Sequence, residues 1–195
     1  MTEDKAKAWI ADRYGADKID RLAAYVDLLL AANASQNLIS RATEPSVWVR
    51  HILDSAQLLP LAPEADTWLD VGSGAGLPGV VLAILSERPV LMVEPRRMRV
   101  AFLETVKAEL ALNRVAIRQS TVEKVSGQKF GAVTARAYAA LPQILSSTFP
   151  LTTSSTIWVL PKGRSAEEEL AVARRAWQGV FHVKQSLTDD EARII

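Results

Sequence analysis

The chain has 195 residues, 23 basic and 22 acidic, for a net charge of +1. That length, with about half of the residues apolar, fits one domain with a sizeable core, and the small net charge does not announce a nucleic-acid-binding arm. The absence of cysteine excludes disulfides, thiolate metal sites and cysteine nucleophiles, and fits a reducing compartment. Charge is uneven: residues 1–66 carry 7 basic and 10 acidic side chains, leaving 16 and 12 in the remainder.

Residues 3–35 place Ile19, Leu22, Ala23, Val26, Leu29 and Leu30 at helical spacing. The start, Met-Thr-Glu-Asp-Lys, is not a secretory signal, and the apolar run around 23–34 is interrupted by Asp27 and too short to span a bilayer. A soluble, cytoplasmic protein is expected. Pro45 is placed to open a helix running to about Leu59. On it, Arg50 and Asp54 stand four apart and can pair along the surface.

From residue 67 onward, strands and helices alternate. Strands are expected at 67–72, 89–94, 115–120, 132–137, 156–160 and 180–187. Helices are expected after the first strand and at 96–112, 140–148 and 165–178. This pattern predicts an α/β, doubly wound, mostly parallel sheet, with ligands bound at the carboxyl ends of its strands. Residues 1–62 are expected to form a helical extension packed on a core of 63–195.

The most informative segment is Asp70-Val-Gly72-Ser-Gly74-Ala-Gly76-Leu77-Pro-Gly79. An apolar strand runs into a glycine loop and then a helix. Glycine permits tight turning and close approach of a ligand, and the helix start presents free N–H groups. Asp70 adds negative charge at the strand end, which suits a nucleoside carrying a positive centre, such as S-adenosylmethionine. Gly74-x-Gly76-x-x-Gly79 also matches a dinucleotide fingerprint. Pro78 inside the pattern and a carboxylate beside a pyrophosphate speak against that rival. A tight turn without a ligand is the remaining alternative.

Glu94 ends the second strand, where a carboxylate can accept both ribose hydroxyls of an adenosine under either cofactor reading. Arg96, Arg97 and Arg99 follow in the first turn of a helix, where the dipole disfavours each cation by about 0.3–1 kcal/mol. A phosphate grip is the sharper explanation of that cluster, and a solvated basic turn the plainer one. His51 and His182 are the only histidines, too few for a histidine-rich metal site, and no nucleophile elbow accompanies Ser55. No metal is expected.

Four motifs occur in order: Arg50-His51-Ile52-Leu53-Asp54-Ser55, the glycine loop 70–79, Ala135-Arg136-Ala137, and Pro161-Lys162-Gly163. Over roughly residues 19–195 the chain resembles the GidB/RsmG family of small-subunit ribosomal RNA guanine-N7 methyltransferases. The resemblance implies a class I, Rossmann-like methyltransferase fold with a seven-stranded sheet. It also implies S-adenosylmethionine as cofactor and N7 of a guanine in the decoding-region loop of 16S rRNA as target. Gly72 and Leu77 then fall in the cofactor loop, Val122 and Glu123 beside the adenine, Arg136 at the end of the fourth strand, and Arg193 near the last. Lys162 and Arg193 join the three loop arginines as expected RNA contacts, and a monomer is expected. Thr121 stands where many relatives carry a basic residue. A small-molecule methyltransferase and a non-catalytic nucleotide-binding assembly factor are the alternative functions.

N7 methylation agrees with what the sequence lacks. N7 is a neutral nitrogen with a free lone pair. It attacks the methyl carbon, the carbon–sulfur bond pair returns to sulfur, and the positive charge passes to the purine. No proton leaves, so no general base is required, and catalysis rests on positioning and desolvation. Motifs for exocyclic-amine and pyrimidine-C5 methylation are absent.

Overall fold

The computed structural model describes residues 1–195. The stretch 3–35, with its helical spacing, is helical as two elements, α1 (Glu3–Tyr14) and α2 (Ala16–Gln36). Gly15 divides them with φ 99°, a conformation an L side chain adopts only at a cost. The stretch expected as one helix from Pro45 is also broken. It comprises a 3-10 turn Arg41–Ser46, a π turn Trp48–Leu53 and a short α3 (Asp54–Ala56). Pro45 has no N–H to give a helical ladder. The N–H groups of Trp48 and Val49 instead donate to the Glu3 carboxylate at 2.9 Å each, so α1 caps this segment.

The central sheet has order β3-β2-β1-β4-β5, all parallel. Its strands are β1 (Trp68–Val71), β2 (Val90–Val93), β3 (Val115–Arg118), β4 (Ala132–Thr134) and β5 (Ile157–Trp158). Every residue of β1 and β2 is buried, as expected for a parallel sheet covered on both faces. Helices α4 (Gly79–Ser86), α5 (Arg97–Glu109), α6 (Leu141–Thr148) and α7 (Ala166–Ala176) supply the cover.

A second sheet, antiparallel, has order β6-β8-β7, from β6 (Pro161–Lys162), β7 (Lys184–Gln185) and β8 (Arg193–Ile194). Where the resemblance implies one seven-stranded sheet, the structure therefore has eight strands in two sheets, five parallel and three antiparallel. The two sheets meet along residues 157–162. The Val159 N–H donates to Val133 O at 2.8 Å, and the next, Leu160, donates to Ile195 O at 2.8 Å. Alternate N–H groups of one extended run thus serve opposite neighbours. The strand expected over 180–187 contracts to two exposed residues.

Side chains alternate across β1. Trp68 joins a cluster with Tyr25, Leu29, Ile52, Val80, Met92 and Phe102. Leu69 and Val71 join a second with Val93, Val133, Leu145 and Leu170. The N-terminal helices share the first cluster with the sheet and have no separate core. They lie on the same face as the helix that follows the glycine loop.

Candidate active site

β1 ends at Val71, and the chain turns through Gly72, Gly74 and Gly76 at φ 69°, 55° and 87°. Gly72 and Ser73 donate to Val93 O at 2.8 and 3.2 Å, tying the loop to the end of β2. Asp70 is fully buried, and its Oδ2 accepts from the Gly79 N–H at 3.2 Å. A Cβ on Gly79 would stand 2.5 Å from that oxygen, so only glycine leaves the carboxylate its place. Oδ1 of Asp70 is buried without a hydrogen-bond partner. Burial pushes the Asp70 carboxyl up to about 6.

Glu94 is also buried. Its Oε2 accepts from the Gly74 N–H and its Oε1 from the Arg96 N–H, both at 2.9 Å. Each oxygen keeps lone-pair capacity for a further donor. Asp70 and Glu94 thus set two buried carboxylates directly against the glycine loop, an acceptor-rich underside to a backbone of little steric bulk. The unpartnered Oδ1 calls for a ligand bringing donors or positive charge. S-adenosylmethionine, with ribose hydroxyls, an ammonium and a sulfonium, fits that requirement; a pyrophosphate does not.

Leu77 is buried at the loop's end and Val122 is buried in the second cluster, while Glu123 is exposed. Two tyrosines that belong to no sequence motif also meet the loop. The Tyr25 hydroxyl, fully buried on α2, donates to Ala75 O at 2.7 Å. Tyr25 shares its helical stripe with Leu22, Val26 and Leu29, so from the sequence it looks like core. The Tyr138 ring lies on Gly72, where an added Cβ would meet its Cδ2 at 2.5 Å.

Arg136 lies two residues beyond β4. Its Nη1 and Nη2 donate to His51 Nδ1 at 3.2 Å each, and Nη1 reaches Asp54 Oδ2 at 3.4 Å. Its carboxylate partner is therefore Asp54. Because Nδ1 accepts, the neutral His51 carries its proton on Nε2 and donates to Thr43 Oγ1 at 2.8 Å. Burial, reinforced by Arg136 and Arg50, lowers His51 to about 4. The expected Arg50–Asp54 pair does not form. Arg50 instead binds Asp189 at 2.8 Å. Asp54 in turn is taken by Arg136 at 3.4 Å and Thr188 at 2.7 Å, so both members of the expected pair are drawn to partners distant in sequence.

These residues line a cavity of about 400 Å³ that also takes in Lys162, Ser186, Thr188 and Arg193. Arg50, Arg136, Lys162 and Arg193 face Asp54 and Asp189 there, a cationic excess. Lys162 is held by Glu169 at 2.9 Å and by Ala139 O at 2.7 Å. The Arg193 Nη1 donates to Asp190 O at 2.8 Å and Ala192 O at 3.0 Å. The cavity and the glycine loop flank one short segment: Arg136 and Ala137 line the cavity, and Tyr138 covers Gly72. Arg96 and Arg97 are exposed at the start of α5, and Arg99 is partly buried, with Nη1 3.3 Å from where a Cβ on Gly74 would lie. None of the three makes an ion pair.

A parallel sheet of order 3-2-1-4-5, a glycine loop after β1 and a carboxylate ending β2 define a class I methyltransferase fold. Solved structures agree on that fold. A precorrin-6y C5,15-methyltransferase from Geobacter metallireducens superimposes with TM-score 0.56 at 12% identity, covering 82% of this chain and 89% of that one. An S-adenosylmethionine-dependent O-methyltransferase from Thermotoga maritima gives 0.55 at 18% identity, covering 72% and 63%. The family model described as GidB, rRNA small subunit methyltransferase G, matches residues 18–193, and the chain belongs to that family. It is 45% identical to the ribosomal RNA small subunit methyltransferase G of Sphingopyxis alaskensis, over 99% of this chain and 84% of that protein. Identity to the protein of the same name from Novosphingobium aromaticivorans is also 45%, over 100% and 87%.

Proposed function

We propose that the chain transfers a methyl group from S-adenosylmethionine to N7 of a guanine in the decoding-region loop of 16S rRNA. The observation that carries this reading is the junction at residues 136–138. A buried, acceptor-rich glycine loop stands on one side and a cationic cavity on the other.

Asp70, Gly72, Gly74, Gly76, Leu77 and Glu94 hold the cofactor, with Val122 and Glu123 at its adenine end. When bound, S-adenosylmethionine supplies an electrophilic methyl group. The chain's own work is to place the base, exclude water and balance the charge that moves to the purine. Arg136 positions the base by donating to guanine O6 or to a flanking phosphate. A donor on N7 itself would occupy the attacking lone pair. His51 and Asp54 hold that guanidinium in place. Arg96, Arg97 and Arg99 at the loop, and Arg193 with Lys162 in the cavity, meet RNA phosphates. The protein works as a cytoplasmic monomer. No helix is long and apolar enough to cross a membrane.

Transfer of labelled methyl groups to small ribosomal subunits from a strain lacking the gene tests the reading. Label recovered as 7-methylguanosine in one rRNA loop is the expected result. Label on small molecules alone, or none, overturns it.

A further inference from the structure

Ala137 has φ 51°, in the left-handed region that side chains other than glycine seldom enter. Such a conformation persists only where its surroundings enforce it, and it is found at functional positions more than elsewhere. Here its neighbours diverge. Arg136 turns to His51 and Asp54, and Tyr138 turns onto Gly72.

The Tyr138 ring is only partly buried, and its hydroxyl bonds to no other group of the protein. The polar end is therefore not what holds the residue there; what the site presents is an aromatic face. Tyr25, the other tyrosine reaching the loop, is fully buried and spends its hydroxyl on Ala75 O. Tyr138 is the ring that a ligand entering between the cavity and the glycine loop would meet.

We propose that Tyr138 is the platform on which the target guanine stacks during methyl transfer, set in place by the left-handed turn at Ala137. This rests on the function proposed above and adds a positioning residue to it. A base removed from its RNA stack loses its neighbours, and an aromatic side chain replaces them. The face has a second effect. As the N7–methyl bond forms and the carbon–sulfur bond breaks, the purine becomes cationic, and a cation is drawn to an aromatic face. The platform thus favours the transition state and product over the neutral base. A hydroxyl is not needed for either effect.

The test compares Tyr138→Phe and Tyr138→Leu. Three readouts are taken: affinity for S-adenosylhomocysteine by calorimetry, kcat and KM for methyl transfer to small subunits, and binding of 7-methylguanosine monophosphate against guanosine monophosphate. The last is measured on enzyme saturated with S-adenosylhomocysteine. The Phe variant should stay within about threefold of wild type throughout, because the ring face remains. The Leu variant should lose about thirtyfold in kcat/KM and its preference for the methylated nucleotide, with cofactor affinity within about twofold. A Leu variant that matches wild type overturns the platform. So does a Leu variant whose whole loss is in cofactor affinity, since Tyr138 would then be a wall of the cofactor site. A wild-type enzyme that transfers nothing to small subunits fails the underlying reading instead, whereas active wild type with an unaffected Leu variant overturns the platform alone.

Discussion

The two sides of the 136–138 segment are built on different principles. On the glycine-loop side, backbone conformation and buried carboxylates do the work. Three positive-φ glycines, two backbone bonds to Val93 and the fully buried Asp70 fix a surface with little freedom. On the cavity side, long side chains from distant parts of the chain are held by one another. Arg50 takes Asp189, Arg136 takes Asp54 and His51, and Lys162 takes Glu169. The first side suits a small ligand of constant shape. The second suits a polyanion, because these cations gather round one cavity and a guanidinium or ammonium held by a carboxylate binds a phosphate by the same geometry.

The largest effect is expected at Gly74. Gly74→Val places a β-branched side chain at φ 55°, against Arg99. Wild type is expected to bind S-adenosylmethionine in the micromolar range, about −8 kcal/mol. Calorimetry should find no measurable binding to the variant, with RNA affinity retained. Parallel loss of both would show that the two sides are not independent.

On the other side, Arg136→Ala should lower methyl transfer at least about a hundredfold, roughly 2.7 kcal/mol of barrier. The melting temperature should change little, because Asp54 keeps hydrogen bonds from Gln57 at 3.0 Å and Thr188 at 2.7 Å. Arg136→Lys should recover little, since an ammonium cannot supply two nitrogens to His51 while reaching Asp54. Turnover near wild type in Arg136→Ala would remove this residue from the site.

Replacement of Arg96, Arg97 and Arg99 by Gln has a smaller expected effect. For every phosphate no longer neutralised, the log–log slope of RNA affinity against salt should flatten by about 0.7–0.9. Cofactor affinity should respond only through Arg99, which lies over Gly74. An unchanged slope would make Arg96 and Arg97 a solvated turn.

The same contrast explains what the sequence could disclose. The glycine loop is local: strand, loop and carboxylate are contiguous, so Asp70 and the three glycines are readable from their order. Glu94 is one βαβ unit away and readable by the same logic. The parallel sheet follows from alternation of elements. The cavity is not local. Thr43, His51, Arg136, Lys162 and Arg193 meet only after folding, and no period links them. The Arg50–Asp54 pairing fails because Asp189 takes the arginine while Arg136 and Thr188 take the aspartate, partners that no local spacing announces. Tyr25 carries a tertiary hydrogen bond that its position on an apolar stripe conceals. Tyr138 owes its place to a left-handed Ala137, where sequence gives no reason to expect a positive φ.

The smallest expected effect concerns pH, and it separates the two sides by sign. Asp70 in the fold is raised to about 6, above the ordinary range of an aspartic acid. The folded state therefore holds this proton more tightly than the unfolded one. Its stabilising contribution is present below the unfolded value and is lost as pH rises through about 6. His51 is lowered to about 4, so its contribution is present above its unfolded value and is lost as pH falls toward about 4. Between about pH 4 and 6 the two slopes oppose, and the melting temperature of the cofactor-free protein should vary little from these groups. Asp70→Asn removes one slope and leaves the other, so its melting temperature should fall more steeply than wild type over that interval on acidification. Binding reads Asp70 directly. A cationic ligand requires the carboxylate, so affinity for S-adenosylmethionine should be constant above about pH 6 and fall up to tenfold per unit below it. Asp70→Asn should bind more weakly at neutral pH and show no such fall. Titrations at pH 5, 6 and 7 that give the same wild-type affinity would show that Asp70 does not answer the positive charge of the cofactor.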